Sequence, residues 1–213
     1  MEVVLDNVTR RMQQDLVIDH VSMRLEAGHI YGLQGKNGSG KTMLMRAMCG
    51  LIHLTEGEIR VDDKRLGKDM EFPESVGALI ENPGFVGGDT GINNLKTLAY
   101  IKNEITETYI VSCMKKIGLE PYEKKKVRKY SLGMKQKLGI VAALMEHPKL
   151  ILLDEPTNAL DTESVERLNV ILREEIEKYK PVIVIASHDK EELELLCDKI
   201  YLVENGKVRE REV

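Results

Sequence analysis

Three short segments hold residues whose types and spacing suit phosphate chemistry. Gly35-Lys36-Asn37-Gly38-Ser39-Gly40-Lys41-Thr42 has two glycines five apart followed by Lys and Thr, after an apolar strand pattern and before a helical one. Such glycines let the backbone wrap closely, so that successive N–H groups and the helix N-terminus point at phosphate oxygens. Lys41 is then placed to reach the β- and γ-phosphates of a nucleotide, and the Thr42 hydroxyl to ligate Mg²⁺. With every fixed position present in that context, an ordinary glycine turn is a poor account of the segment. The second segment, Leu150-Ile151-Leu152-Leu153 followed by Asp154-Glu155-Pro156, describes a buried strand that delivers two carboxylates to the carboxyl edge of a sheet, where open α/β folds bind ligands. Asp154 is placed to hold the Mg²⁺ shell, and Glu155 to orient or deprotonate a water aimed at the γ-phosphate. The third is His188, which leaves another apolar run, Val182 to Ser187, and is placed as a donor to the γ-phosphate. A capping or packing role before a helix over Asp189 to Leu196 stays open for it. His20, His29, His53 and His147 read as structural or exposed.

Positioning these groups takes a sheet whose strand ends meet. Residues 1–34 read as β-rich: Val3 to Leu5, Leu16 to Ile18, Val21 to Leu25 and His29 to Leu33, with the turn Ala27-Gly28 before the last. A helix from Lys41 to about Leu51 follows the glycine loop, and Glu58 to Val61 and Val76 to Ile80 read as strands. Asn82 to Gly91 is too rich in glycine for regular structure, and helical periodicity dominates from Asn94 to His147 as an insert. The apolar runs return after Pro148, separated by a charged helix near Glu163 to Tyr179, as expected of buried parallel strands joined by a crossover helix. Asn205-Gly206 between two apolar runs predicts a final hairpin.

The 213 residues, 42% hydrophobic and 31% charged, can bury a substantial core and fit one domain better than two. A net charge of -4 gives no general attraction to nucleic-acid phosphates, so an anionic ligand must be held by local structure. Cys49, Cys113 and Cys197 lack metal or redox spacing and suit free thiols in a reducing cytosol. The longest apolar stretches are too short to cross a bilayer, which makes any membrane role dependent on a partner. The basic run Glu123 to Lys129 reads as a solvated loop, and Met43, Met45 and Met48 as core filling.

Taken together with Tyr130-Ser131-Leu132-Gly133-Met134-Lys135-Gln136 and Asn158-Ala159-Leu160-Asp161, the segments resemble the nucleotide-binding domain of ABC ATPases over about Val3 to Val208. The resemblance implies an α/β fold: a P-loop NTPase core with a mostly parallel sheet and an antiparallel β subdomain (residues 1–83 and 148–213), and a helical subdomain carrying the signature motif (residues 84–147). It implies that Ser131, Gly133 and the helix start after them contact the γ-phosphate of ATP held by a second subunit, with Leu132 and Met134 departing from the family's Gly and Gln. Asp161 corresponds to a loop crossing the dimer interface, and His188 to the switch histidine. Glu81 stands where most relatives carry a Gln that links Mg²⁺ to the membrane subunit. No aromatic residue falls near Arg10 to Met12, where one usually stacks on adenine; Met12 or Arg11 packs on the base instead. Met43 replaces a second hydroxyl residue, leaving the α-phosphate to backbone N–H groups.

The spelling of the signature, with Ala78-Leu79-Ile80-Glu81-Asn82-Pro83-Gly84-Phe85, looks like the bacitracin-resistance and lantibiotic-export branch. The implied function is ATP binding and hydrolysis that energises a bacterial transporter exporting a peptide antibiotic or related cargo. The implied cofactors are ATP and Mg²⁺. The implied partners are a second ATPase subunit and a separate membrane-spanning permease docked on Pro83 to Gly91, at the cytoplasmic face of the cell membrane, with no nucleic acid. Many members of that branch continue past the last hairpin, whereas this sequence ends at Val213, so an appended regulatory domain is expected to be absent. A ribosome- or DNA-acting ABC protein is the alternative, but it calls for a paired domain or a long coiled coil. A GTPase or small-molecule kinase leaves the Tyr130 to Gln136 segment unexplained, and no Asn-Lys-x-Asp guanine-reading motif occurs.

Overall fold

Two sheets with different hydrogen-bonding rules share one core in a computed structural model that describes residues 1–81 and 83–211. Asn82, at the start of the glycine-rich segment, and the end of the chain at Val213 lie outside the described residues. The antiparallel sheet contains β1 (Glu2–Met12), β2 (Asp15–Glu26), β4 (Glu56–Val61) and β5 (Lys64–Arg65) in the order β2-β1-β4-β5. The strands expected at Leu16 to Ile18 and Val21 to Leu25 are one strand. Pairing passes from Val8↔Val21 to Arg10↔Ile18, so β2 carries one extra residue, absorbed where His20 takes φ 51. Such a bulge interrupts the alternation of apolar residues without ending the ladder.

The second sheet has the order β10-β9-β3-β8-β7-β6, with β3 (His29–Gln34), β6 (Val76–Leu79), β7 (Leu150–Asp154), β8 (Val182–Ser187), β9 (Lys199–Glu204) and β10 (Lys207–Glu210). It is parallel from β6 to β9 and closes with the antiparallel β9-β10 hairpin. β7 and β8 are buried along their whole length, which is why they read as continuous apolar runs. Ile151, Leu153, Ile183 and Ile185 face the helical side, and Leu150, Leu152, Val182 and Val184 face α1 (Lys41–Met48) and the antiparallel sheet.

The insert holds α2 (Gly91–Lys102), α3 (Glu107–Lys116), a short 3-10 turn and α4 (Leu132–Leu144); α5 (Thr162–Tyr179) and α6 (Lys190–Leu196) follow β7 and β8. Thr90 caps α2 through Asn93 N–H, so helix begins three residues before Asn94, inside the glycine-rich stretch. α1 ends at Met48 rather than near Leu51 because Gly50 turns the chain out at φ 76. The helix α4 lies directly on β6: a Cβ on Gly77 would come 1.9 Å from the Ala143 carbonyl, and one on Gly139 would come 2.8 Å from Leu79 Cδ1. His147 is structural. Its Nε2 meets Tyr109 Oη at 2.6 Å and its Nδ1 meets Glu175 at 2.9 Å, joining α3 to α5.

Candidate active site

Strand register brings the three candidate segments together. β3, β8 and β7 are neighbours, with Gln34 opposite Ser187 and Asp154 opposite Ala186, so the glycine loop, the carboxylate pair and His188 leave the sheet at one edge. In the loop Gly38 and Gly40 take φ 80 and 111, which side chains disfavour. A Cβ on Gly40 would also come 2.6 Å from the Val17 carbonyl, and one on Gly35 2.4 Å from that of Val203. Lys41, 5% exposed, donates to the Gly35 carbonyl at 2.6 Å and to that of Lys36 at 3.2 Å, bracing the loop with its ammonium. Ser39 Oγ is buried without a hydrogen-bond partner among the described residues. A loop with an orphaned hydroxyl and a buried cation beneath it fits an anionic phosphate chain.

The Thr42 hydroxyl donates to Asp154 Oδ2 at 2.7 Å. Burial pushes the Asp154 carboxyl above the usual carboxylate range, opposed by the Thr42 hydrogen bond. A buried carboxylate beside a hydroxyl, both hard oxygen donors, fits Mg²⁺, which takes few protein ligands and completes its shell with phosphate and water. Glu81 is 59% exposed by its side chain and is paired with Arg46 Nη2 at 2.7 Å.

Glu155 is the most connected residue of the site. It takes the left-handed φ of 48, an uncommon conformation for a residue with a side chain. Its N–H donates to the Ala186 carbonyl at 2.8 Å, and its own carbonyl accepts from Gln136 Nε2 at 2.9 Å and Asn158 N–H at 3.2 Å. Its carboxylate lies 3.0 and 3.1 Å from His188 Nδ1, 3.3 Å from Ser187 Oγ and 3.8 Å from Lys41 Nζ. Because a carboxylate only accepts, Nδ1 carries the proton of that contact, and Nε2 of His188 donates to a phosphate when the ring holds a proton on both nitrogens.

The remaining predicted residues lie outside this cluster of side chains. Met12, 45% exposed, ends β1, whose partner strand β2 touches the loop through Val17. Met43 packs partly buried against the core behind the loop. Ser131 caps α4 by accepting from Met134 N–H at 3.2 Å, and Asp161 caps α5 by accepting from Ser164 N–H at 2.9 Å. Hydrogen bonds from Ser164 hold the Asp161 carboxyl below its usual range. Gly133 lies against the loop before α5, where a Cβ would come 2.5 Å from the Ala159 carbonyl. Ser131, Gly133 and Asp161 therefore gather on one face, and no hydrogen bond joins them to the phosphate loop among the described residues.

Two supports of the site were not read from sequence. Gln136 ties α4 to the Glu155 carbonyl, and only its position in the signature segment signalled it. The Asn205-Gly206 turn, with φ 51 and 79, packs beneath the phosphate loop, Gly206 N–H donating to the Ser39 carbonyl at 2.9 Å. The dipeptide gives the hairpin but not its neighbour.

The chain is similar to known proteins in both sequence and fold. Residues 18–158 match the sequence profile of the ABC transporter family. The chain is similar to the ABC transporter ATP-binding protein YybJ of Bacillus subtilis, with 43% identity over 97% of this chain and 94% of the relative. It is 34% identical to the bacitracin transport ATP-binding protein BcrA of Enterococcus faecalis, over 97% of this chain and 68% of that one. It is 33% identical to the lantibiotic transport ATP-binding protein SrtF of Streptococcus pyogenes, over 96% of this chain and 87% of that one. Its fold matches the dimeric structure of a bacterial ABC transporter cassette with a TM-score of 0.87 and 23% identity, covering 99% of this chain and 98% of that one.

Proposed function

The chain belongs to the ABC transporter family, whose ATP-binding subunits bind and hydrolyse ATP, and on that premise we propose how its own residues divide the work and what the work drives. The reading rests on one observation: the carboxylate of Glu155 stands among His188, Ser187 and Lys41 at the edge where the phosphate loop begins. Gly35 opens the loop with its own N–H on the Ser187 carbonyl, backbone N–H groups of Lys36, Asn37, Gly38 and Gly40, the Ser39 hydroxyl and the ammonium of Lys41 bind the β- and γ-phosphates, and the N–H of Met43 serves the α-phosphate. Met12 packs on the adenine. Thr42 and Asp154, with Glu81 beside them, would hold Mg²⁺, which when bound offsets the phosphate charge. Glu155 takes the proton of the attacking water, and His188, as the imidazolium with an N–H on each ring nitrogen, donates to Glu155 from Nδ1 and to the γ-phosphate from Nε2.

Ser131 and Gly133 at the start of α4 serve nucleotide held by a second ATPase subunit, with Asp161 at the interface. Their separation from their own phosphate loop supports that arrangement. Family members act as dimers with transmembrane permease partners, and no helix among the described residues is long and apolar enough to cross a membrane. We assign the permease contact to Pro83 to Gly91, beside a cleft of about 360 Å³ between β6 and α2 lined by Phe85, Val86 and Leu98. A subunit so docked works at the cytoplasmic face of the cell membrane. The bacitracin and lantibiotic relatives support a peptide antibiotic or related molecule as cargo.

Glu155→Gln tests the chemistry. It keeps shape and hydrogen bonding but removes the base, so multiple-turnover hydrolysis should fall by about 10²- to 10⁴-fold while ATP binding persists and an ATP-dependent dimer accumulates. Turnover near that of the unsubstituted protein would overturn the assignment of Glu155. Co-purification with a polytopic membrane protein encoded beside this chain tests the transport reading.

A further inference from the structure

Behind Glu155 lies a second carboxylate that the mechanism above does not use. Glu192, in the first turn of α6, accepts from the Ser187 hydroxyl at 2.9 Å through Oε2, while its Oε1 is buried and has no hydrogen-bond partner among the described residues. The same Ser187 hydroxyl lies 3.3 Å from Glu155 Oε2, and its oxygen accepts from Asp189 N–H at 3.0 Å. Ser187 is fully buried. A hydroxyl has one proton to give. If both carboxylates were ionised, that proton could serve only one, and a second negative charge would stand unpaired behind the first. A proton on Glu192 resolves both faults: Glu192 donates to Ser187 Oγ, whose lone pairs are then filled by Glu192 and Asp189 N–H, and Ser187 donates to Glu155.

The geometry points to Glu192, protonated and acting through the Ser187 hydroxyl, as a positioning residue that fixes the carboxylate of Glu155 for hydrolysis. The inference rests on Glu155 being the base. Burial, with the nearby charges of Glu155 and Asp189, pushes the Glu192 carboxyl above its usual range, against the pull of the neighbouring Thr157 and Ser187 hydroxyls, in keeping with a resident proton. Neither Glu192 nor Ser187 touches the phosphate loop among the described hydrogen bonds apart from the Gly35 N–H bond to the Ser187 backbone carbonyl at 3.3 Å, so nucleotide binding stays separate from this chain of donors.

The test compares Glu192→Gln, Glu192→Leu and Ser187→Ala in steady-state ATP hydrolysis, with ATP affinity measured by calorimetry as the check on folding. The Gln amide donates to Ser187 as the protonated acid does, so kcat should stay within about twofold; Leu and Ala break the chain and should lower kcat about tenfold to a hundredfold with KM unchanged. Glu192→Leu or Ser187→Ala turning over like the unsubstituted protein overturns the inference, as does Glu192→Gln falling as far as Glu192→Leu, because an ionised Glu192 would then be what the site needs. A loss confined to KM overturns it as well. Glu155→Gln run alongside separates the two levels: if it hydrolyses normally, the base assignment has failed, whereas if it is inactive and Glu192→Leu is normal, only the positioning role has failed.

Discussion

Gly133→Ala puts one methyl group where two parts of the site meet. Its Cβ would stand 2.5 Å from the Ala159 carbonyl oxygen, about 0.9 Å inside ordinary contact at 3.4 Å. Neither side yields freely. Ala159 already holds φ 62, and its loop is pinned by Asn158 N–H on the Glu155 carbonyl and by Asp161 on α5. On the other side, Ser131 caps α4, and Gln136 binds the Glu155 carbonyl at 2.9 Å. Overpacking costs about 1–3 kcal/mol, and alanine's better helix propensity returns about 0.5–1 kcal/mol, leaving a loss of at most about 2.5 kcal/mol. For a chain of this length that lowers Tm by no more than about 10 °C. Both pinned elements end on Glu155, so the displacement passes to the base, where a misplacement of about 1 Å costs on the order of 10²-fold in rate. The variant should therefore fold, bind ATP within about twofold of the unsubstituted protein, and hydrolyse it about 10- to 100-fold more slowly. Leu132→Gly, at an exposed position beside Gly133, serves as the control. Undiminished turnover by Gly133→Ala would refute the linkage, and so would a loss of ATP affinity matching the loss of rate.

Lys41→Ala removes the ammonium that braces the phosphate loop and should abolish the nucleotide-dependent rise in Tm; the unsubstituted protein gains about 2.7 kcal/mol at a hundredfold excess of ATP over Kd. With Met12 in place of a ring at the base, ATP and GTP should bind within about tenfold of each other, since stacking is worth about 0.5–1.5 kcal/mol; dissociation constants measured with Mg²⁺ decide this, and a hundredfold preference would reveal an unrecognised base contact. Ser131→Arg should leave the ATP affinity of the monomer unchanged yet prevent the ATP-driven dimer. A large loss of monomer affinity would mean that Ser131 serves its own chain's nucleotide.

The site was legible in sequence wherever a strand end delivers a side chain directly. Gly35 to Thr42, Asp154-Glu155 and His188 each follow an apolar run, and once β3, β7 and β8 are neighbours in register, their placement at one edge follows from the chain itself. Contacts made across elements distant in sequence were not legible. Nothing local tells that the Gly206 turn braces Ser39, that Arg46 on α1 pairs with Glu81, or that Glu192 stands behind Glu155. In the fold, the continuous β2 was hidden because a bulge at His20 breaks the period-two pattern from which strands are read. The two-residue β5 is too short to carry a pattern at all.

On the proposed roles, the connections of Glu155 would give the site timing as well as chemistry. An acid placed beside a phosphate loop at a free strand end would fire whenever nucleotide bound. Here the residue is held at φ 48 by three backbone bonds from three different elements, one from Gln136 on α4 and one from Asn158 in the loop that also meets Gly133. Both of those elements present their other ends, Ser131 and Asp161, on the face assigned to the second subunit. In the dimer proposed above, a partner's γ-phosphate seated at the start of α4 would bias the helix whose next turn holds the Glu155 carbonyl. On that proposed arrangement hydrolysis would depend on dimer formation through a short run of hydrogen bonds, and Gly133, where helix and loop touch, is a point at which that dependence can be broken without touching the chain's own phosphate loop.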